Sequence, residues 1–143
     1  GLAIAPTCLT VEFYWQSAGE ITLQHEGLCF PRLPERAGLY RIRLPFSRSV
    51  YVGETLNLRR RMQNYRTPGA SQKTSIWVNR LLCDRVGNND LVLLEVCTEA
   101  MTTLEENARQ SPDMRSKTVR VMTEHAAIFA ERHNGWTTLN KAD

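Results

Sequence analysis

The chain has 143 residues and a mass of 16.3 kDa, the usual size of one domain. Hydrophobic residues make up 42% and charged residues 23%, which excludes a largely disordered chain. No apolar run approaches the ~20 residues of a membrane-spanning helix, and no basic segment followed by an apolar one opens the sequence. We therefore expect a cytoplasmic protein with no signal peptide and no membrane contact.

The four cysteines, Cys8, Cys29, Cys83 and Cys97, are scattered along the chain. No two of them form a C-x2-C pair, so a zinc ribbon or a thioredoxin-type site is not expected. We interpret them as reduced thiols.

The positive charge is concentrated in one segment. Residues 31–80 contain eleven Lys or Arg and two acids, whereas the formal charge of the whole chain is only +3. Ten of the eleven cations are arginines, whose planar guanidinium group can bind two phosphate oxygens at once. The segment therefore predicts a surface that binds a polyanion, with nucleic acid as the expected partner.

The first part of the chain predicts a β-hairpin. Residues 9–15 alternate between apolar and polar side chains, and residues 21–26 form a second short extended segment. The intervening residues 16–20 are predicted to be the turn between them. Residues 27–37 contain two prolines and are predicted to be a connection.

The middle of the chain predicts a second hairpin and two helices. Strands are expected at residues 38–44 and 50–53, and a helix is expected from Thr55 to the Thr67-Pro68-Gly69 stop. Residues 74–86 predict another helix, in which Trp77 is interpreted as a core residue, as is Trp136 near the C-terminus.

The last part predicts one strand and two helices. Residues 91–97 form a continuous apolar run typical of a buried strand. Residues 101–108 and 117–133 are predicted to be helices, followed by an irregular tail. In the second of these helices, the expected core face consists of Val119, Met122, Ala126 and Phe129.

One block of the sequence combines features that point to chemistry. The tripeptide GLY at 38–40 and the tripeptide YVG at 51–53 each place a tyrosine on one strand of the second hairpin. In the helix that follows, Arg61 and Tyr65 are four residues apart and therefore share a face.

This block resembles the GIY-YIG nuclease family over residues 37–140. The resemblance implies an α/β fold, a single compact domain with a small, mostly antiparallel three-stranded sheet flanked by helices. Residues 37–143 would form the catalytic domain, and residues 1–36 an added N-terminal β-hairpin extension. Glu54 follows YVG at a position where many members of the family carry a basic residue.

The resemblance also implies an activity and a cofactor. The chain is expected to be a metal-dependent endonuclease that hydrolyses phosphodiester bonds with one Mg²⁺ or Mn²⁺ ion per active site. Glu124 would bind the metal, since Ala127 and Ile128 follow it as the family pattern requires. Asn140 would be the C-terminal site asparagine, with Asn134 as the competing candidate.

The residue types suggest the roles within the site. Arg61 would stabilise the charge on the phosphate, and Tyr40 would accept the proton of the attacking water. Tyr51 and Tyr65 would orient water or phosphate. We expect the Arg61 and metal cations to lower the pKa of Tyr40 from its ordinary value near ~10.

Glu124 has one rival as metal ligand, Glu131, which lacks the following apolar residues. His125 and His133 are interpreted as structural histidines. The cations expected to contact nucleic-acid phosphates are Arg41, Arg43, Arg48, Arg59, Arg60, Arg66, Lys73 and Arg80.

Three functions remain open at this point. The first is the endonuclease, with DNA preferred over RNA, acting as a homodimer or with a partner that supplies specificity. The second is a non-catalytic nucleic-acid-binding module that keeps the fold. The third is a protein-interaction domain whose basic face binds an acidic partner. The biological context, the strand specificity and the oligomeric state are open in each case.

Overall fold

A five-stranded sheet lies at the centre of the α/β fold in a computed structural model that describes residues 1–140. The strands are β1 (Leu9–Phe13), β2 (Gln16–Glu20), β3 (Thr22–Gln24), β4 (Gly27–Cys29), β5 (Gly38–Leu44), β6 (Ser49–Thr55), β7 (Leu93–Cys97), β8 (Ala100–Leu104) and β9 (Thr137–Thr138). The helices are α1 (Leu58–Arg66), α2 (Lys73–Gly87) and α3 (Lys117–His133).

The central sheet has the strand order β2-β7-β5-β6-β9. The expected three antiparallel strands are present as β7, β5 and β6 in its middle. The sheet is larger than predicted, because β2 pairs with β7 at one edge and the short β9 pairs in parallel with β6 at the other. Within residues 1–140, β9 pairs only with Ser49 and Val50, so the rest of β6 has no partner strand on that side.

Helices cover both faces of this sheet. Tyr40 and Ile42 on β5 belong to a buried cluster that includes residues of α1 and α2. Leu39 on the same strand belongs to a second cluster, which includes Val52 of β6 and Ala127 of α3. The alternation of β5 therefore places its tyrosine beneath α1, and α3 lies on the opposite face.

The predicted N-terminal hairpin is wrong. β1 pairs with β8 instead of with its neighbour in sequence, and residues 16–20 form β2 instead of a turn. A β-bulge between Ser17 and Gly19 lets this strand continue, and Gly19 has a φ of 125°, which glycine adopts without the strain that a side chain brings. Residues 27–29 are β4, which forms a small hairpin with β3.

The helix predicted at residues 101–108 is also wrong. Residues 100–104 form β8, and residues 105–107 are in a turn. The pairing with β1 joins segments about ninety residues apart in the chain, and a local sequence pattern cannot show such a partner.

The helix α3 has the predicted bounds but not the predicted core face. Phe129 is 75% exposed, whereas Arg120, Thr123, Ala127 and Glu131 are buried. The charged members are buried because they are paired. Glu131 accepts hydrogen bonds from Arg41 and Arg43 of β5, and Arg120 donates to Glu54 of β6.

Polar side chains cap the N-termini of α1 and α3. The Asn57 side chain accepts a hydrogen bond from the backbone N–H of Arg60, so α1 begins at Leu58 instead of near Thr55. Ser116 caps α3 in the same way through the N–H of Val119. Among residues 1–140, no helix is long and apolar enough to cross a membrane.

Candidate active site at the open edge of β6

Arg61 and two tyrosine hydroxyls form a connected group beneath α1. The Nη1 atom of Arg61 donates to the hydroxyl of Tyr40 at 3.0 Å, and that hydroxyl shares a hydrogen bond with the hydroxyl of Tyr65. The Tyr40 and Tyr65 rings meet edge to face with centroids 6.0 Å apart. The predicted sharing of one helix face by Arg61 and Tyr65 is therefore confirmed.

Tyr51 extends this group along β6. Its ring centroid lies 6.4 Å from that of Tyr40 and 6.0 Å from that of Trp77. Burial, the neighbouring Tyr65 hydroxyl and the Glu124 carboxylate raise the pKa of Tyr51, while Arg61 lowers it. Tyr51 is half-buried, so it is the most accessible tyrosine of the three.

Tyr40 is completely buried. Burial raises the pKa of its hydroxyl well above the ordinary value, and the opposing effect of Arg61 does not cancel this. The expected lowering of the Tyr40 pKa by Arg61 is present, but burial outweighs it, and the expected contribution of the metal cation stays a prediction. Tyr40 is protonated at neutral pH, and its hydroxyl holds the Arg61 guanidinium in place.

Gly53 makes room for this arrangement. It lies directly opposite Tyr40 in the β5–β6 register, and the Tyr40 ring passes over it. A Cβ atom built on Gly53 would lie 2.2 Å from the Cζ and hydroxyl oxygen of Tyr40. The glycine of YVG is thus required by the packing of the tyrosine of GLY.

Replacing Gly53 by alanine should move the Tyr40 ring and the Arg61 side chain it holds. We expect a destabilisation of about 1–3 kcal/mol, the usual cost of overpacking a core, together with loss of function at the site. Thermal unfolding of G53A beside G87A provides the comparison, because a Cβ on the helical Gly87 meets no atom within 4 Å. Equal stability of wild type and G53A would contradict this packing.

Glu124 reaches the same edge from the opposite face of the sheet. Val52 and Glu54 alternate with Gly53 along β6, so their backbone groups point away from β5 towards the open edge. The Glu54 backbone lowers the pKa of Glu124, so the Glu124 carboxylate lies near this part of the strand. Glu124 of α3 therefore lies near Glu54 of β6, and its carboxylate also acts on Tyr51 of the same strand.

The environment of Glu124 disfavours its charged form. Burial and the nearby Glu54 carboxylate raise the pKa of Glu124, whereas His125, the Glu54 backbone and Lys117 lower it. The net effect is an upward shift. His125 lies 3.7 Å from a Glu124 oxygen, and it is exposed.

Glu54 is held by cations instead of being available to a ligand. Lys117 Nζ lies 2.6 Å from one of its oxygens and Arg120 Nε lies 2.7 Å from the other. Although burial raises the pKa of Glu54, these two partners outweigh it and hold the pKa below its usual range. Glu54, the residue after YVG, thus binds two basic residues of α3.

The donor set fits a magnesium ion held by a single protein carboxylate. Within residues 1–140, no three His, Cys, Asp or Glu side chains are grouped to form a metal cage. Mg²⁺ commonly keeps several waters and binds one or two carboxylates together with substrate phosphate oxygens. Glu124 is a suitable ligand of this kind, while the rival Glu131 is engaged by Arg41 and Arg43.

A basic groove of about 250 Å³ opens beside Arg61. Its cations are Arg60, Arg61, Lys117 and Arg120. Lys117 and Arg120 were missed by sequence reasoning because they lie outside the arginine-rich segment. Lys117 and Arg120 lie seven and four residues before Glu124, which places them on the same side of α3. This spacing is the signal that could have found them.

The predicted phosphate-binding cations differ in their exposure and in their bonds to other protein groups. Arg41 and Arg43 bind Glu95 and Glu131 and lie over Trp15 and Trp136, so their guanidinium groups are engaged within the protein. Arg59 donates to the Leu33 carbonyl, and Arg48 donates to the carbonyls of Asn134 and Gly135. The members exposed to solvent are Arg48, Arg60, Arg66, Lys73 and Arg80.

The two candidate asparagines lie in different places. The Asn140 amide donates to the Val52 carbonyl at 2.6 Å and accepts from the Val52 N–H at 3.1 Å. It therefore covers the edge of β6 next to the site. Asn134 ends α3 and contacts Arg48 through its carbonyl.

Comparison of the chain with protein-family models, curated proteins and solved structures finds no significant match.

Proposed function

We propose that the protein is a metal-dependent endonuclease of the GIY-YIG type, with DNA as its preferred substrate. The observation that carries the proposal is that three chemical groups border β6: the Arg61 guanidinium, the tyrosine hydroxyls and the Glu124 carboxylate. Arg61 donates to Tyr40, the Tyr51 ring lies next to that of Tyr40, and Glu124 is near enough to raise the pKa of Tyr51. The antiparallel β5–β6 pair, followed directly by the helix that carries Arg61, is the arrangement expected of that family.

Arg61 would bind the non-bridging oxygens of the phosphate to be cut. Its Nη1 is fixed by Tyr40, and its other guanidinium N–H groups provide further donors near the basic groove. A donor that is fixed before the substrate arrives stabilises the charge that develops on phosphorus without a reorganisation cost.

Tyr51 is better placed than Tyr40 to contact the attacking water. Tyr40 is fully buried and already bonded to Arg61 and Tyr65, whereas Tyr51 borders an open cleft. The deprotonated Tyr51 oxygen would take a proton from the water as the water oxygen bonds to phosphorus. The bond from phosphorus to the leaving sugar oxygen would break at the same time, and that oxygen would take a proton from solvent. Because the pKa of Tyr51 is raised, we expect the cleavage rate to increase towards alkaline pH.

Glu124 would hold the divalent cation. When bound, the cation supplies positive charge to the phosphate and the leaving oxygen. Lys117 neutralises Glu54, so that Glu124 is the carboxylate left to bind the ion. One such site cuts one strand at a time, so cleavage of both strands requires a second copy or a second visit.

One observation favours the non-catalytic binding module as a second candidate. Burial raises the pKa of all three tyrosines, which would suit hydroxyls that serve only as structural hydrogen-bond partners. The basic groove would then bind phosphate without cutting it. This candidate and the endonuclease differ in product formation, not in binding.

The test is incubation of the purified protein with end-labelled single- and double-stranded DNA and RNA. The reactions contain Mg²⁺ or Mn²⁺, or EDTA. We expect metal-dependent cuts within the strand, with DNA cleaved faster than RNA. Salt-sensitive binding of all four polymers without any product would contradict the endonuclease and support the binding module.

Phenylalanine substitutions distinguish the two tyrosine roles. We expect Y51F to lose the alkaline increase of the rate, because it removes the oxygen that takes the proton. Y40F should keep that pH profile and lose about 10- to 100-fold in rate, since one hydrogen bond to a charged group is removed. The measurement is the single-turnover rate from pH 6 to pH 9. An unchanged profile in Y51F together with a flat one in Y40F would reassign the proton acceptor to Tyr40.

A further inference from the structure

A second cleft opens on the other side of Tyr51. It has a volume of about 430 Å³, within the range of ligand-binding pockets. Its lining residues are Tyr51, Lys73, Thr74, Trp77, Leu139 and Asn140. Tyr51 is shared with the candidate active site, so a group in this cleft would lie next to the phosphate bound there.

Trp77 is the distinctive side chain of the cleft. The sequence interpretation placed it in the core, but it is 45% exposed. Val78 and Leu82 supply the buried face of α2, and Trp77 lies outside that face. An accessible indole in the same cleft as a tyrosine and a lysine is a surface on which an unpaired base can stack.

The charge and hydrogen bonding of the cleft agree with a nucleotide. Lys73 is exposed at its rim and carries no carboxylate partner within 4 Å among the described residues. The Asn140 amide already uses its oxygen and nitrogen on the Val52 backbone. The cleft therefore offers an aromatic ring and a cation to a ligand. Its amide group, that of Asn140, is already hydrogen-bonded to the Val52 backbone.

We propose that this cleft binds one unpaired nucleobase of the substrate against Trp77, with the adjoining phosphate at Lys73. The inference rests on the proposed function for the nature of the ligand. It adds the substrate class: nucleic acid with an unpaired nucleotide beside the bond that is cut. Because stacking tolerates every base, the cleft selects unpaired structure instead of sequence.

The test is binding to two labelled DNA duplexes in EDTA, where no cleavage occurs. One duplex is fully paired, and the other carries a single unpaired 2-aminopurine whose fluorescence reports stacking. We expect wild type to prefer the bulged duplex and to quench its 2-aminopurine. W77A should weaken binding of the bulged duplex by about 10- to 100-fold, with little effect on the paired one.

Two further variants control for folding and for exposed aromatics in general. W77F should keep most of the preference, because a phenyl ring still stacks. F129A removes another exposed aromatic side chain, one that does not line the cleft, and should bind like wild type. Unchanged binding and quenching in a folded W77A would overturn the proposal, as would a wild-type protein without preference for the bulged duplex.

The outcomes separate the two proposals. Preference for the bulged duplex that depends on Trp77, without cleavage when Mg²⁺ is added, would contradict the endonuclease and leave the base-binding cleft standing. Cleavage that is equally fast with and without Trp77, and with and without an unpaired base, would support the endonuclease and contradict the base-binding cleft.

Discussion

Arg61→Ala should reduce the single-turnover cleavage rate about 10²- to 10³-fold, as does removal of other charge-stabilising donors. The loss follows from the geometry, since Arg61 is the cation fixed by Tyr40 at the edge of β6. Arg61→Lys should restore little, because an ammonium group cannot donate to Tyr40 and to two phosphate oxygens in the planar fork of a guanidinium.

Arg60 supplies the matched control for Arg61. It is the neighbouring arginine of α1, it borders the same groove, and it is exposed. Arg60→Ala should weaken substrate binding at moderate salt and leave the rate of the bound complex within a few-fold of wild type. If Arg60→Ala and Arg61→Ala lowered that rate equally, the groove would act only as a basic surface, and the role given to Arg61 would be wrong.

Glu124→Gln should abolish metal-dependent cleavage and at the same time increase the free energy of unfolding at neutral pH. The first effect follows from loss of the carboxylate that would hold the ion. The second follows from the raised pKa of Glu124, whose main cause is burial. A folded state that binds a proton more tightly than the unfolded chain loses stability as pH rises through that interval. Glutamine removes this penalty.

The measurement is chemical denaturation of wild type and Glu124→Gln across pH 4 to 8 without metal. The stability difference should be small at the acid end and grow as the pH rises above the ordinary carboxyl range. Glu131→Gln serves as the contrast, because it breaks a buried pairing with Arg41 and Arg43 and should be destabilising instead. A Glu124→Gln variant less stable than wild type at pH 8 would show that the carboxylate is a structural partner.

The elements that surround the site could be predicted because their signals are local. The alternation in residues 38–44 gives β5 its observed bounds. The helix at residues 117–133 was also predicted with its observed bounds, and Ser116 caps its N-terminus. The tyrosines, Arg61 and Glu124 lie on these elements or on β6 and α1. Their grouping into one site came from the family resemblance and stays a prediction.

The errors come from contacts between distant segments. β1 finds its partner in β8, and no pattern within residues 9–13 specifies it. Phe129 is apolar yet exposed. Glu131 is charged yet buried, because Arg41 and Arg43 of β5 bind its carboxylate. Helical periodicity assigns faces by hydrophobicity and fails when ion pairs form part of the buried face.

Burial explains the differences within the site. The Tyr40 hydroxyl lies beneath α1, and its pKa depends on desolvation, which no spacing rule provides. Trp77 is exposed because α2 packs through Val78 and Leu82. Arg41 and Arg43 were predicted to contact phosphate because they lie in the basic segment of the sequence. Their ion pairs with Glu95 and Glu131 form only in the folded sheet.

The most direct measurement is the conversion of supercoiled plasmid in Mg²⁺ by wild type, Arg61→Ala and Glu124→Gln at matched folding. The three groups at the edge of β6 predict nicked and linear products from wild type, strongly reduced product from Arg61→Ala, and none above the EDTA background from Glu124→Gln. Equal product from all three proteins, or none from wild type, would contradict an endonuclease site at this edge.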